Sequence, residues 1–216
     1  MRDINRFIDH TLLKADATFD DIKRLCEEAR RYNFFSVCVN QVYVNYSKEL
    51  LKNSDVKVCT VVGFPLGATD IETKIFETKR SLQLGADEID MVMNIGYMKS
   101  KMYERIVDEI KCIKEVCKNK VLKVIVETCL LTEDEKREVV KLLIEGKADF
   151  IKTSTGFSTG GAKVEDIKLF KSIAGNRINI KASGGIRDLK SALDMIENGA
   201  TRIGSSNSVK IMGGDL

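Results

Sequence analysis

A single (β/α)8 barrel over residues 1–216 is the fold class the sequence predicts. Short β-branched runs recur eight times along the chain. Amphipathic stretches with helical spacing lie between them. Alternating strand and helix units give a parallel sheet with helices outside. Eight such units in 216 residues suit closure into a barrel. An open doubly wound sheet is the alternative, but no G-x-G-x-x-G follows the first run.

The elements follow in order. "RFIDHT" (residues 6–11) reads as the first strand, although it is short and no helical pattern precedes it. "TFDDIKRLCEEARRY" (18–32) reads as a helix and "FFSVCVN" (34–40) as the second strand. "VKVCTVVGF" (56–64) and "DEIDMVMN" (87–94) are the next strands, with the helix "ETKIFETKRSLQLG" (72–85) between them. The helix "YERIVDEIKCIKEVCK" (103–118) leads to the strand "LKVIVET" (122–128). Thr132 opens T-E-D-E, a capping box for the helix at 132–146. "DFIKTS" (149–154), "INIKAS" (178–183) and "TRIGSS" (201–206) complete the strands, separated by helices at 164–175 and 188–199. Gly85, Gly146, Gly175 and Gly199 suit the left-handed position that ends a helix. The chain runs only 12 residues beyond Gly204, so the last helix is expected to be short.

Composition narrows the function. The chain is 44% hydrophobic and 31% charged with a net charge of +3, and its Lys and Glu are intermixed. This reads as a solvated surface with no basic tract for nucleic acid or membrane. No stretch approaches the ~18 apolar residues of a membrane span, and the N-terminus has no long apolar signal segment. The six cysteines form no C-x-x-C pair and read as free thiols of a cytoplasmic protein, some packed in the core. One histidine and scattered cysteines offer no ligand spacing, so no metal site is expected.

Charges on the predicted inner faces carry the chemistry. Alternate residues of a barrel strand point inward, and catalytic groups sit at strand C-terminal ends. Asp90, Lys152 and Lys181 fall on such faces. Either lysine alone could instead run outward with its stem buried and its head in water. Together with Asp90 they read better as a site, because unpaired buried charge is a poor choice for stability. A second ammonium and a partly dry pocket both disfavour a protonated amine. An amine so placed can form a Schiff base near neutral pH, with Asp90 moving protons. The pattern does not say which lysine is the nucleophile.

The last three strands end in "TSTGFSTGGAK", "ASGGIRD" and "GSSNS". Backbone N–H groups in such segments can approach an anion, and a following helix N-terminus adds favourable potential. Barrels often hold phosphate at the loops after strands seven and eight. The candidates are Thr155 and Gly156, Ser183, Gly184 and Gly185, and Gly204, Ser205 and Ser206. The alternative is a set of tight turns without a ligand. "VVGFPLG" is a weaker signal, since Pro65 and Gly67 can simply shape a loop.

Taken together, "KTSTGF", "KASGGI", "EIDMV", "DHTLL", "VVGFPLG" and "KVIVETCLLT" closely resemble the motifs of the deoxyribose-phosphate aldolases, which are class I aldolases. The likeness runs from about residue 7 to residue 207. It implies a (β/α)8 barrel and reversible cleavage of 2-deoxy-D-ribose 5-phosphate to D-glyceraldehyde 3-phosphate and acetaldehyde, without metal or organic cofactor, in deoxynucleoside catabolism. By motif match, Lys152 would be the Schiff-base lysine, Lys181 the neighbour that lowers its pKa and relays protons, and Asp90 the proton donor and acceptor. Asp9 and Thr11 would line the sugar pocket. Cys38 matches a thiol near the site in relatives, although a core thiol explains it equally well. A homo-oligomer, dimer or tetramer, is expected. Two positions depart from the pattern. Phe157 stands where some relatives have Lys, and Gln41 where Pro is usual. Two other readings remain: a phosphosugar epimerase or isomerase barrel, and a non-catalytic phosphosugar sensor.

Overall fold

The computed structural model describes residues 4–214. The outermost residues of the expected domain, 1–3 and 215–216, lie outside the described residues. Eight strands close a parallel barrel in sequence order, so the open-sheet alternative falls. They are β1 (Ile8–Leu12), β2 (Ser36–Val39), β3 (Lys57–Val62), β4 (Glu88–Val92), β5 (Val121–Ile125), β6 (Phe150–Lys152), β7 (Asn179–Ser183) and β8 (Arg202–Ser205). Closure comes from β8 pairing β1, with Ile203 beside Ile8 and Gly204 beside Asp9.

The long outer helices are α1 (Phe19–Arg31), α3 (Ile71–Gln83), α5 (Tyr103–Cys117), α6 (Glu133–Glu145), α7 (Val164–Ala174) and α8 (Leu189–Glu197). Three short ones complete the set: α2 (Val44–Leu50), α4 (Ile95–Lys99) and α9 (Ser208–Ile211). A 3-10 turn, Ile4–Phe7, precedes β1, and its Ile4 and Phe7 pack on the core. The strand runs are apolar because both faces of a barrel strand are covered. Outward residues such as Val37, Val58, Ile89, Val124, Ile151, Ile180 and Ile203 join the helices in one core. Inside the barrel, Leu13, Cys38, Cys59 and Val61 form a separate small apolar patch. Buried charged residues occupy much of the rest of the lumen.

The caps follow local chemistry. Thr132 and Glu135 form the expected capping box, and Thr18 with Asp21 and Asp188 with Ser191 form two more. Gly85, Gly175 and Gly199 have positive φ. Gly146 does not, with φ −71°, and Lys147 takes the left-handed turn instead. Gly146 is needed for contact: a Cβ there would lie 2.7 Å from Ile110 Cγ2.

Candidate active site

Every strand except β2 and β3 brings a formal charge into the lumen. Asp9 comes from β1, Glu88 and Asp90 from β4, Lys123 from β5, Lys152 from β6, Lys181 from β7 and Arg202 from β8. Register explains the meeting. Asp90 pairs in the sheet with Lys123, Lys152 with Lys181, and Lys181 with Arg202. All seven groups are buried. Four cations face three carboxylates, so one positive charge is in excess.

Asp90 is the hub. Its Oδ1 accepts from Lys123 Nζ at 2.8 Å and from the Cys59 thiol at 3.1 Å. Its Oδ2 accepts from Lys152 Nζ at 2.7 Å and Lys181 Nζ at 2.8 Å. Burial alone would raise this carboxyl, but the ammonium groups of Lys123, Lys152 and Lys181 outweigh it and hold it well below the usual range. Burial would lower the Lys181 amine, but Asp9 and Asp90 more than compensate and push it up. Lys181 therefore keeps its charge at neutral pH.

Asp9 corrects the sequence reading. It is fully buried beneath the pocket and does not line it. It accepts hydrogen bonds from Lys181, from Arg202 at 2.8 Å and from the Ser36 hydroxyl at 2.6 Å. Thr11, two residues on, does reach the pocket.

A cavity of about 300 Å³ opens at the C-terminal ends of the strands. It gathers Thr11, Lys152, Thr155, Gly156, Ser183, Gly184, Gly185, Gly204, Ser205 and Ser206. Of the four cations in the lumen, Lys152 alone lines it. Lys14 and Arg187 also line it and bring exposed positive charge. The sequence reading passed over both, although Arg187 directly follows "SGGI". Phe157 forms part of the wall and packs edge-on to Phe64, ring centroids 5.2 Å apart. Gln41 faces elsewhere, donating to Glu77 O and Ser81 Oγ on α3, both at 2.9 Å.

Not every expected anion donor is free. Ser183 N–H donates to Thr153 Oγ1 at 3.1 Å, and Thr155 N–H points to the Glu127 carboxylate at 3.3 Å. The Ser183 and Ser205 hydroxyls donate to Ser154 O and Ile186 O. These contacts fix the loops. Among the described residues, the N–H groups of Gly156, Gly184, Gly185 and Ser206 meet no protein acceptor. The expected helix contribution is small: α9 has four residues, and Asp188 already caps α8.

Other supports were not foreseen. Glu127, at φ 52°, binds the Thr155 hydroxyl, which in turn accepts Phe157 N–H at 3.0 Å. Buried Lys74 ties Val92 O at 2.9 Å to Glu109 at 2.6 Å, and Glu109 accepts Asn94 N–H. Together they clamp the end of β4. Gly67 packs on the same end, where a Cβ would lie 2.1 Å from Met93 O. Cys38, Cys59 and Asp90 place three ligand-type atoms within 4.8 Å of one another, a grouping the sequence spacing hid. Their surroundings suit protons better than a metal ion, since both Asp90 oxygens already accept from ammonium groups.

A closed parallel barrel with a buried charged cluster under a small cavity at its strand C-terminal ends has the layout of a barrel enzyme. Comparison with known proteins is consistent with this. A model of the DeoC/LacD family aldolases matches residues 5–212. The deoxyribose-phosphate aldolase of Finegoldia magna is 55% identical over 98% of this chain and all of that one. Its namesake from Streptococcus uberis is 55% identical over 98% of this chain and 96% of that one. Among solved structures, the aldolase QR15 superposes with a TM-score of 0.95 at 41% identity, covering 99% and 96% of the two chains. The tetrameric deoxyribose phosphate aldolase of Aeropyrum pernix superposes with 0.91 at 34% identity, covering 97% and 89%. The chain belongs to the DeoC/LacD family of aldolases and is an enzyme of that class. None of its described helices is long and apolar enough to cross a membrane.

Proposed function

We propose that the chain cleaves 2-deoxy-D-ribose 5-phosphate reversibly to D-glyceraldehyde 3-phosphate and acetaldehyde, with Lys152 as the Schiff-base lysine. The observation that carries this is the position of Lys152. It is the one buried cation on the cavity wall, and it touches Asp90 at 2.7 Å. Losing its proton would leave the cluster with equal numbers of positive and negative groups.

In the cleavage direction, the neutral Lys152 amine adds to C1 of the open-chain sugar. Loss of water leaves an iminium. A base takes the C3 hydroxyl proton, the C2–C3 bond breaks, and its electron pair flows into the iminium. Glyceraldehyde 3-phosphate leaves and an enamine remains. Protonation at the former C2 and addition of water then release acetaldehyde and the free amine. The iminium is the electron sink, so the residues present suffice without a metal or organic cofactor. Asp90, directly or through water, is the group placed to exchange protons with Lys152. Lys181 supplies a fixed positive charge beside it. Gly156, Gly184, Gly185 and Ser206 N–H groups, with Arg187 and Lys14, form the phosphate end. Remote phosphate binding can orient the reacting carbonyl. We extend the reading to a cytoplasmic homo-oligomer in deoxynucleoside catabolism. A tetrameric relative supports the oligomer.

The test is a coupled assay for glyceraldehyde 3-phosphate released from deoxyribose 5-phosphate, run with a strong chelator. Full activity is expected. Inactivity, or activity that needs an added divalent ion, would overturn this reading. An epimerase or isomerase would turn over without sensitivity to borohydride in the presence of substrate.

A further inference from the structure

Beneath Lys152, six side chains close into a ring of alternating charge. Arg202 contacts Glu88 at 2.9 Å, Glu88 contacts Lys123 at 2.6 Å, and Lys123 contacts Asp90 at 2.8 Å. Asp90 contacts Lys181 at 2.8 Å, Lys181 contacts Asp9, and Asp9 returns to Arg202 at 2.8 Å. Each member touches a neighbour of opposite sign on either side, and Lys123 also reaches across the ring to Asp9 at 3.9 Å. The ring carries three positive and three negative groups and is neutral by itself. Lys152 hangs from it by Asp90 Oδ2, an oxygen it shares with Lys181.

We propose that Glu88, Lys123 and Arg202 are positioning residues for the aldol chemistry: they complete a charge-neutral ring that leaves Lys152 as the one surplus cation in the barrel. This rests on Lys152 being the Schiff-base lysine. Three observations carry it. The ring is buried, so charge balance within it governs protonation more than solvent does. Its lower members do not line the cavity, so contact with substrate does not explain them. Arg202 is further held flat against the Phe35 ring, 3.4 Å from its centroid, which fixes the far end of the ring. Six ionised groups in a core are costly for stability, whereas a balanced ring makes the Lys152 proton the one whose loss neutralises the interior. The remaining titratable groups facing the cluster are the thiols of Cys38 and Cys59. Burial pushes the Cys59 thiol well up, while its hydrogen bond with Cys59 draws the Cys38 thiol below the usual range.

The test measures reductive trapping of acetaldehyde on Lys152 against pH, in the unaltered protein and three variants. Glu88→Gln keeps the shape but removes a negative charge, so the midpoint for trapping should move to lower pH. Arg202→Gln removes a positive charge, so the midpoint should move to higher pH. Each shift should be about one pH unit. Glu88→Gln combined with Arg202→Gln should return the midpoint to its original place. If Arg202→Gln does not fold, Lys123→Met removes the same sign of charge beside the same Glu88 and should shift the midpoint upward. A merely structural role predicts lower melting temperatures with no opposed shifts and no recovery in the double variant. That result would overturn the ring. Absence of label on Lys152 in the unaltered protein at every pH would overturn the Schiff-base reading and the ring together. Normal label with unmoved midpoints would overturn the ring alone.

Discussion

Lys181→Leu removes the cation that shares an Asp90 oxygen with Lys152. Both nitrogens contact Oδ2, at 2.8 and 2.7 Å, so they lie no more than about 5.5 Å apart. At that spacing and an effective dielectric near 20, their repulsion is about 3 kcal/mol. That corresponds to about two pH units in favour of losing one proton. Without Lys181 the cluster holds three cations against three carboxylates, and a protonated Lys152 then balances it. The active limb of the pH–rate profile should therefore move about two units toward alkali. Near neutral pH, turnover should fall about 100-fold and recover in part as pH rises. The assay is kcat/KM for deoxyribose 5-phosphate across the pH range, with a melting curve to confirm folding. Loss that is equal at all pH values would refute the charge argument, and unchanged activity would remove Lys181 from the site altogether.

Three further outcomes follow from the loops and caps. Gly161→Ala would place a Cβ 2.3 Å from Gly184 O, pushing the β6 and β7 loops apart, so KM for the phosphorylated sugar should rise while Lys152 trapping by acetaldehyde persists. Unphosphorylated deoxyribose should show a kcat/KM lower by at least about 100-fold, because charge-assisted contacts at the phosphate end are lost; equal efficiency would remove that end from the account. Thr132→Ala breaks a capping box whose residues do not line the cavity and should cost about 1 kcal/mol of stability in denaturant unfolding, with kcat unchanged.

Much of the barrel was legible because its strands are buried on both faces and so stand out as β-branched runs. The helix at Val44–Leu50 escaped notice. It has seven residues, of which only Val44 and Ser47 are buried, too few to show a period. Gly146 was misread because a glycine after a helix can serve contact as well as turn geometry, and the sequence does not contain Ile110's position. At the site, Asp90, Lys152 and Lys181 stood out as charges inside apolar runs. Glu88 and Arg202 did not, since each opens its strand, where a charge ordinarily meets solvent. Their role also depends on closure: Arg202 and Asp9 are 193 residues apart in sequence and meet only because β8 pairs β1. Asp9 was placed one layer too high for the same reason.

The most direct measurement is where a reduced Schiff base lands. Incubating the protein with acetaldehyde and a hydride donor should leave one ethyl group, on the peptide containing "FIKTSTGF", at Lys152. Surface lysines should stay largely unlabelled at short times, since amines with ordinary pKa values near 10.4 are protonated near neutral pH. Lys152→Arg should abolish both label and turnover, because guanidinium cannot form the imine. Label on Lys181 would reverse the roles of the two lysines, and label scattered over many lysines would contradict catalysis through a single reactive amine.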